Sequence, residues 1–550
     1  MANYYVADDG SYYTQGTIDS SYDGFCVFED HDLIKIVERF GKTEWPSITN
    51  HANGIFLQDG KTQQSIYIDD KTLTFNFDEM QRPILELDMR KIHDHESFDK
   101  KYDVKATGNG LLIHYTKSGG TTYDFYVAVK TTEDFLILKD WKKHKYEYDE
   151  RRGTENTFYS YKLLQILSNS GRIDIRKGTK KDLQKWLSSS QETKKLGEKQ
   201  DTKAMIQDAM NSLRIDDTSY IAGHPWFFQT WSRDELIGLI GMIEEGNKDQ
   251  AKNVLTKYWE ILRDEHELFN RYPPAGLWSA DATGWFFKRV DDYRKAFGMD
   301  SLLEDIGSEG KQILREYKEN HVENGLVYNE GLETWMDTGE GYDERRGYRI
   351  EIQALLLQSF NTVHTISDDE ELREWEDELK ENVREALYDD RLLDGLHPDL
   401  SKDKTVRPNV FLAYYLYPDL LSDAEWEETF DKVLETCWLD WGGLSSISKM
   451  NDLYESNHTG IDNKSYHRGD SWYFINNIAA ICLQRLDADK YDFYTQKIKE
   501  GSKKDLLHQG YIGTCSEISS AEHQESFGCF NQFWSNATFL ELLNQDQTLH

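Results

Sequence analysis

Two hydrophobic periodicities divide the chain. Over residues 1 to about 150, short runs alternate apolar and polar positions between turn signals. Ser65-Ile66-Tyr67-Ile68 and Leu73-Thr74-Phe75-Asn76-Phe77 flank Asp69-Asp70-Lys71, and Leu111 to Tyr115 is parted from Tyr123 to Val129 by Ser118-Gly119-Gly120. Period-2 patterning with Gly and Asp punctuation predicts the antiparallel hairpins of a β-sandwich. Around residues 151–200 the pattern turns helical and then strongly charged, with Lys180 to Gln200 mostly polar, which predicts a solvated helical linker. From about residue 201 the period is 3.6. In Arg233 to Glu245, for example, Leu236, Ile237, Ile240 and Ile243 share one face of a helix.

Helices are expected near 202–213, 233–245, 248–263, 281–297, 303–320, 349–364, 369–388, 407–417, 422–436, 469–485, 488–501 and 531–544. Twelve antiparallel helices without strands suggest six hairpins closed into an (α/α)6 barrel. An open solenoid would give a similar count but usually shows a repeat of fixed period, and none is visible. The expected fold is therefore α+β and multidomain: an N-terminal antiparallel β-sandwich (1–150), a helical linker (151–200) and an (α/α)6 barrel (201–550). Trp, Gly, His and carboxylates cluster in the segments before alternate helices: Gly223 to Trp226, Trp231 to Asp234, Leu277 to Asp281, Glu333 to Asp337, Arg407 to Asn409, Ser465 to Gly469 and Gly513 to Glu517. Loops on a rigid scaffold are where function tends to sit, so these groups are expected to converge on one pocket.

Composition narrows the partners. A length of 550 residues with 38% hydrophobic and 30% charged positions describes a globular, multidomain chain. Aromatics reach 13%, with 15 Trp and 32 Tyr, side chains whose flat faces suit both a core and a sugar ring. The net charge of −35 argues against nucleic acid and against anionic membranes, while a neutral polysaccharide remains compatible. Five scattered cysteines show no zinc or redox spacing, which suggests a reducing compartment. The polar, acidic start lacks a signal-peptide pattern and no run is long enough to span a membrane, so a cytoplasmic location is expected.

The motifs, taken in order, resemble one family. Trp231-Ser232-Arg233-Asp234, Thr334-Trp335-Met336-Asp337, Arg345 through Gly347 to Glu351-Ile352, and Arg407-Pro408-Asn409 are similar to the glucosidase domain of glycogen-debranching enzymes. Gly443 to Ser446, Tyr466-His467-Arg468-Gly469 with Trp472, Ser516-Glu517-Ile518, and Gly528-Cys529 through Gln532 to Trp534-Ser535 continue the likeness. Gly10, Gly16-Thr17, Tyr22 and Gly24 extend it to that family's N-terminal β domain. The resemblance implies a glucoamylase-like barrel that hydrolyses α-glucan, glycogen or limit dextrin, with inversion and through α-1,6 bonds. Because the β domain fills the N-terminus, no glucan-transferase half is expected in this chain.

Such hydrolysis needs one protonated and one ionised carboxyl group, about 6.5–9.5 Å apart when the reaction inverts. By resemblance Asp337 is the general acid, with Trp335 and Met336 expected to desolvate it. A turn cap before Thr338-Gly339 is the competing reading of Asp337. Glu517, 180 positions later, maps to the general base; a first-turn carboxylate is its structural alternative, favourable by about 0.3–1 kcal/mol. Arg233-Asp234 is expected to hold the terminal glucose, with Trp231 stacked on its ring, and Asp234 is the rival candidate for the acid. Glu351, between two isoleucines, must be paired if buried, to sugar hydroxyls or to Arg345. Tyr348-Arg349 departs from the family pattern and puts a subsite detail in doubt. Trp278, Asp281, Trp335, Arg407, Asn409, His467 and Trp534 complete the expected pocket wall. No cofactor or metal is expected: His93-Asp94-His95 reads as a polar turn, and no HExxH, P-loop or dinucleotide motif occurs. Other linkage preferences within the class (α-1,4-glucoamylase, trehalase, mannosyl-oligosaccharide glucosidase) stay open. A non-catalytic carbohydrate binder is disfavoured because both carboxylates are present.

Overall fold

A computed structural model describes residues 2–6, 10–16, 19–29, 32–69, 71–96, 98–190, 196–274, 276–337, 344–460 and 462–548. Thr17 and the pair Thr338-Gly339 fall outside them. The chain divides into two compact units, residues 1–214 with 506–514, and residues 215–505 with 515–550.

The first unit is built on two antiparallel sheets. One runs, edge to edge, Ala2–Val6, Tyr12–Gly16, Gly24–Glu29, Asp32–Phe40, Ile84–Lys91, Thr157–Ile166, Phe135–Lys145. The other runs Lys100–Thr107, Gly110–Lys117, Tyr123–Lys130, Gly171–Gly178, Thr72–Asp78, Thr62–Asp69, Gly54–Asp59, Ser47–His51. Their apolar faces share one core, with Val37, Leu85, Leu87 and Leu163 from the first sheet and Phe75, Ile113, Val127 and Ile173 from the second. The expected boundary at residue 150 falls inside this unit. Thr157–Ile166 and Gly171–Gly178 are strands rather than linker, and each pairs on both sides, so removing them would split both sheets. Short helices α1 (Glu147–Arg151), α2 (Lys180–Ser188) and α3 (Thr202–Asn211) complete the unit.

The second unit holds α4 (Ser232–Glu244), α5 (Lys248–Glu265), α6 (Ala282–Phe297), α7 (Ser301–His321), α8 (Ile350–Ser367), α9 (Glu370–Leu387), α10 (Asn409–Leu416) and α11 (Asp423–Cys437). It also holds most of α12 (Tyr473–His508), broken at Asp487, and α13 (Phe533–Thr548). Alternate helices differ in chemistry. Helices α4, α6, α8 and α10 are buried on nearly every face, whereas α5, α7, α9 and α11 bury one apolar stripe and expose charge. The buried set forms an inner ring: α13 packs on α4, α4 on α6, α6 on α8 and α8 on α10. Cys482 Sγ to the Phe411 carbonyl (3.3 Å) links α12 to α10, and Asn477 Nδ2 to the Ser535 carbonyl (3.4 Å) links α12 to α13. Gly284 permits the α6–α8 approach, since a Cβ there would sit 2.5 Å from Leu355 Cβ. This is the expected (α/α)6 architecture. Among the described residues no helix is long and apolar enough to cross a membrane.

Candidate active site

The inner helices start at one set of segments, and those carry the chemistry. Trp231 precedes α4, with Arg233 and Asp234 in the helix's first turn. Asp281 occupies the N-cap position of α6 but makes no capping bond; Ser279 Oγ accepts from Ala282 N–H instead (3.2 Å) and donates to Asp281 Oδ1 (2.5 Å). The Asp281 carboxylate is thereby left for Arg233, whose Nε donates to Oδ2 at 2.6 Å. Arg233 also donates through Nη2 to the Glu333 carbonyl (3.1 Å), and Nη1 lies 3.4 Å from Asp337 Oδ2.

Asp337 and Glu517 meet through two adjacent residues of one segment. Tyr466 donates its hydroxyl to Glu517 Oε1, and His467 Nε2 stands 3.7 Å from Asp337 Oδ1. Glu517 is buried, with Cys529 N–H donating to Oε2 at 2.7 Å. Its backbone is pinned as well, donating to the Cys529 carbonyl (2.7 Å) and accepting from Tyr473 N–H (3.2 Å). Both carboxyl oxygens of Glu517 are thus seated by donors. Asp337 differs: its side chain is 38% exposed and open to solvent, with Arg233 and His467 for neighbours. Trp335 and Met336, expected to desolvate it, are themselves buried, and Met336 Sδ packs against Arg407 and Asn409. Asp234 completes the cluster and accepts from Gln532 Nε2 at 2.7 Å. Burial pushes its carboxyl well above the ordinary range; Arg233 opposes this, and the charges of Glu517 and Asp337 add to it. All three carboxyls therefore share one field.

Aromatic rings floor and flank this cluster. His467 lies parallel to Trp472 (4.9 Å, 4°) and edge-on to Trp335 (5.5 Å, 86°). Trp534 stacks on Phe474 (4.4 Å) and is buried, so it belongs to the packing around the site. Trp231 is half-buried, and its Nε1 has no hydrogen-bond partner. Trp278 is 47% exposed and stacks on Phe269 at 4.4 Å, a flat surface open to solvent.

Where substrate contact was expected at Arg345, Glu351, Arg407 and Asn409, the structure shows buried side chains engaged with protein atoms. Arg345 pairs with both oxygens of Glu351, the second at 3.0 Å, and with Asp394 at 3.0 Å. Asn409 accepts from Trp335 Nε1 (2.9 Å) and donates to Asp394 Oδ1 (2.7 Å). Arg407 Nη1 donates to the carbonyls of Ser446 (3.1 Å) and His467 (2.8 Å). These groups fix the segments that carry Asp337 and His467. Three residues of the site were not singled out from the sequence. Tyr466 and Gln532 lay inside quoted motifs, and Asp394, in Leu393-Asp394-Gly395, gave no signal beyond a carboxylate beside apolar positions. Among the described residues no group of His, Cys, Asp and Glu is arranged to hold a metal ion.

Asp234, Asp337 and Glu517 thus gather with Arg233, Tyr466 and His467 in the unit that carries the helical ring. A family model described as amylo-alpha-1,6-glucosidase matches residues 198–541, and the chain belongs to that family; it is a glycoside hydrolase. No curated protein matches the chain. Among solved structures, a bacterial glucoamylase complexed with acarbose superposes with a TM-score of 0.66 at 11% identity, covering 99% of this chain and 93% of that one. A GH63 mannosylglycerate hydrolase from Thermus thermophilus superposes with a TM-score of 0.47 at 12% identity, covering 63% of this chain and 100% of that one. The likeness to the glucoamylase extends over both units and concerns the fold.

Proposed function

We propose that the chain releases glucose from α-1,6 branch points of an α-glucan, inverting at the anomeric carbon, with Asp337 as general acid and Glu517 as general base. The observation that carries this reading is the contrast between the two carboxyls: Glu517 buried and held by two donors, Asp337 half-exposed, and Tyr466-His467 joining them. A terminal glucose would stack on Trp231 and offer hydroxyls to Asp234, while Arg233, oriented by Asp281, reaches toward Asp337. Trp278 gives a second stacking face for the chain beyond the scissile bond. Asp337 passes its proton to the glycosidic oxygen as the C–O bond breaks. Glu517 takes a proton from the attacking water as the new C–O bond forms. Glu517 then releases that proton and Asp337 regains one from solvent, for which its exposure suits it. Each transfer contributes about 10²–10⁴-fold. The five cysteines are buried thiols outside any disulfide, which supports a cytoplasmic enzyme.

The test compares glucose release from panose or limit dextrin with release from maltotriose. Faster turnover of the α-1,6 substrates is expected, with Asp337→Asn and Glu517→Gln each losing about 10²-fold or more. A clear preference for maltotriose would overturn the linkage assignment, and normal turnover by either variant would remove that residue from its role.

A further inference from the structure

His467 is 2% exposed, yet neither of its ring nitrogens has a hydrogen-bond partner. A buried, unsatisfied polar group is costly and calls for an explanation. The ring is fixed: parallel to Trp472, edge-on to Trp335, 4.8 Å from the Tyr466 ring, with its own carbonyl gripped by Arg407. It therefore stands at the acid by construction. The two oxygens of Asp337 meet different neighbours. Oδ2 faces Arg233, and Oδ1 faces Nε2 of His467. Burial first, and then the charges of Arg407 and Arg345, push the His467 imidazole down from its ordinary range, against the opposing pull of Asp337. The ring is thus neutral and does not take a proton from Asp337, but it can accept a hydrogen bond. The other charged groups in this field are Arg233, Asp234 and Glu517.

We infer that His467 is a positioning residue which, as the Nδ1–H tautomer, accepts a hydrogen bond at Nε2 once protonated Oδ1 of Asp337 closes the 3.7 Å between them, and so keeps the acid loaded in the free enzyme. This rests on the reading of Asp337 as the general acid. When substrate arrives, the glycosidic oxygen replaces Nε2 as acceptor. The proton moves from Oδ1 to that oxygen, the leaving alcohol departs with it, and the carboxylate formed faces Arg233 through Oδ2. His467 gains and loses nothing in the cycle.

His467→Phe keeps a ring in the Trp472 stack and removes both nitrogens; His467→Gln restores an acceptor. The readout is the pH dependence of kcat/KM and of kcat on panose, because kcat/KM reports the free enzyme and kcat the complex. With His467→Phe, the basic limb of kcat/KM should move down by about one pH unit, so that activity falls about tenfold at neutral pH and recovers in acid. The limb of kcat should move less, and His467→Gln should restore part of the shift. An equal loss at every pH with an unmoved limb would show a packing role and overturn the inference. An independent readout uses the wild-type enzyme labelled with 15N-histidine, its His467 signals assigned by their loss in whichever variant folds. A protonated Nδ1 and a bare Nε2 at neutral pH are expected, and the opposite tautomer or an imidazolium would overturn the proposal. Asp337→Asn assayed on α-glucosyl fluoride, whose leaving group needs no acid, separates the two claims. Retained turnover there upholds Asp337 as the acid whatever His467 does; lost turnover removes the acid assignment and this inference with it.

Discussion

Replacing Gly528 by alanine should cripple turnover while leaving the fold nearly intact. Gly528 lies directly behind Glu517, with φ of +67°, a left-handed conformation that costs an L-residue about 1–2 kcal/mol. Its added Cβ would be driven into Oε2 of Glu517, and would lie 2.9 Å from Cδ and 3.0 Å from Cβ of the same side chain. Carbon–carbon contacts settle near 3.5–4.0 Å, so Glu517 must retreat by roughly 1 Å or surrender a bond. Its carboxylate has little freedom, since Cys529 N–H holds Oε2 at 2.7 Å and the Tyr466 hydroxyl holds Oε1. A displacement of about 1 Å in a catalytic group can cost on the order of 10²-fold, equivalent to about 2.7 kcal/mol of barrier. The backbone strain should lower the thermal midpoint by only a few degrees in a unit of this size, roughly 2–4 °C per kcal/mol or less. The assay is kcat for glucose release from limit dextrin alongside a thermal unfolding curve. Near-wild-type kcat in a folded Gly528→Ala protein would refute the claim that Glu517, as seated, is the base.

Three further outcomes test other parts of the structure. Tyr466→Phe removes a hydrogen bond to a charged acceptor, worth about 1.5–3 kcal/mol, so kcat should drop about 10–100-fold with KM nearly unchanged; an unaltered kcat would separate Tyr466 from the base. Burial raises the carboxyl of Asp23 to about 7. Its folded value lies above its unfolded one, so this group destabilises the fold increasingly as pH rises from about 4 to 7, by at most about 4 kcal/mol. Asp23→Asn should therefore lose less thermal stability between pH 5 and pH 8 than the wild type, and an identical pH dependence would contradict this. Arg345→Met strands the buried Glu351, at a cost of about 3–5 kcal/mol, visible as a fall in the thermal midpoint; an unchanged midpoint would show that the pair contributes nothing.

Much of the helical unit was legible because its outer helices advertise themselves. Glu370–Leu387 alternates Leu372, Leu379 and Val383 with charge on one stripe, and the inner helices follow from apolar runs such as Val410 to Leu416. The strands at 157–178 were not legible. Gly171–Gly178 carries Arg172, Asp174, Arg176 and Lys177 among its apolar positions, and it borders a true helix, Lys180–Ser188, so local pattern assigned the whole stretch to a charged linker. What made these residues strands is pairing with partners far away in sequence, such as Ile173 with Phe75 and Tyr161 with Leu87. The site shows the same division. Its motifs were visible, but the division of labour within them was not. Glu351 could be read as pairing with sugar hydroxyls or with Arg345, and only the fold shows the Arg345 pair, joined by Asp394 in a buried network. The Gln532–Asp234 bond spans 298 positions and leaves no local trace.

The central claim is that Asp337 and Glu517 act on opposite sides of one glycosidic bond, with water between base and sugar. Proton NMR of panose mixed with the enzyme, recorded before mutarotation, reads the anomer of the first glucose released. The account predicts β-glucose growing ahead of α-glucose. Glucose appearing first as the α-anomer would contradict it, because retention requires a carboxylate to attack the sugar directly.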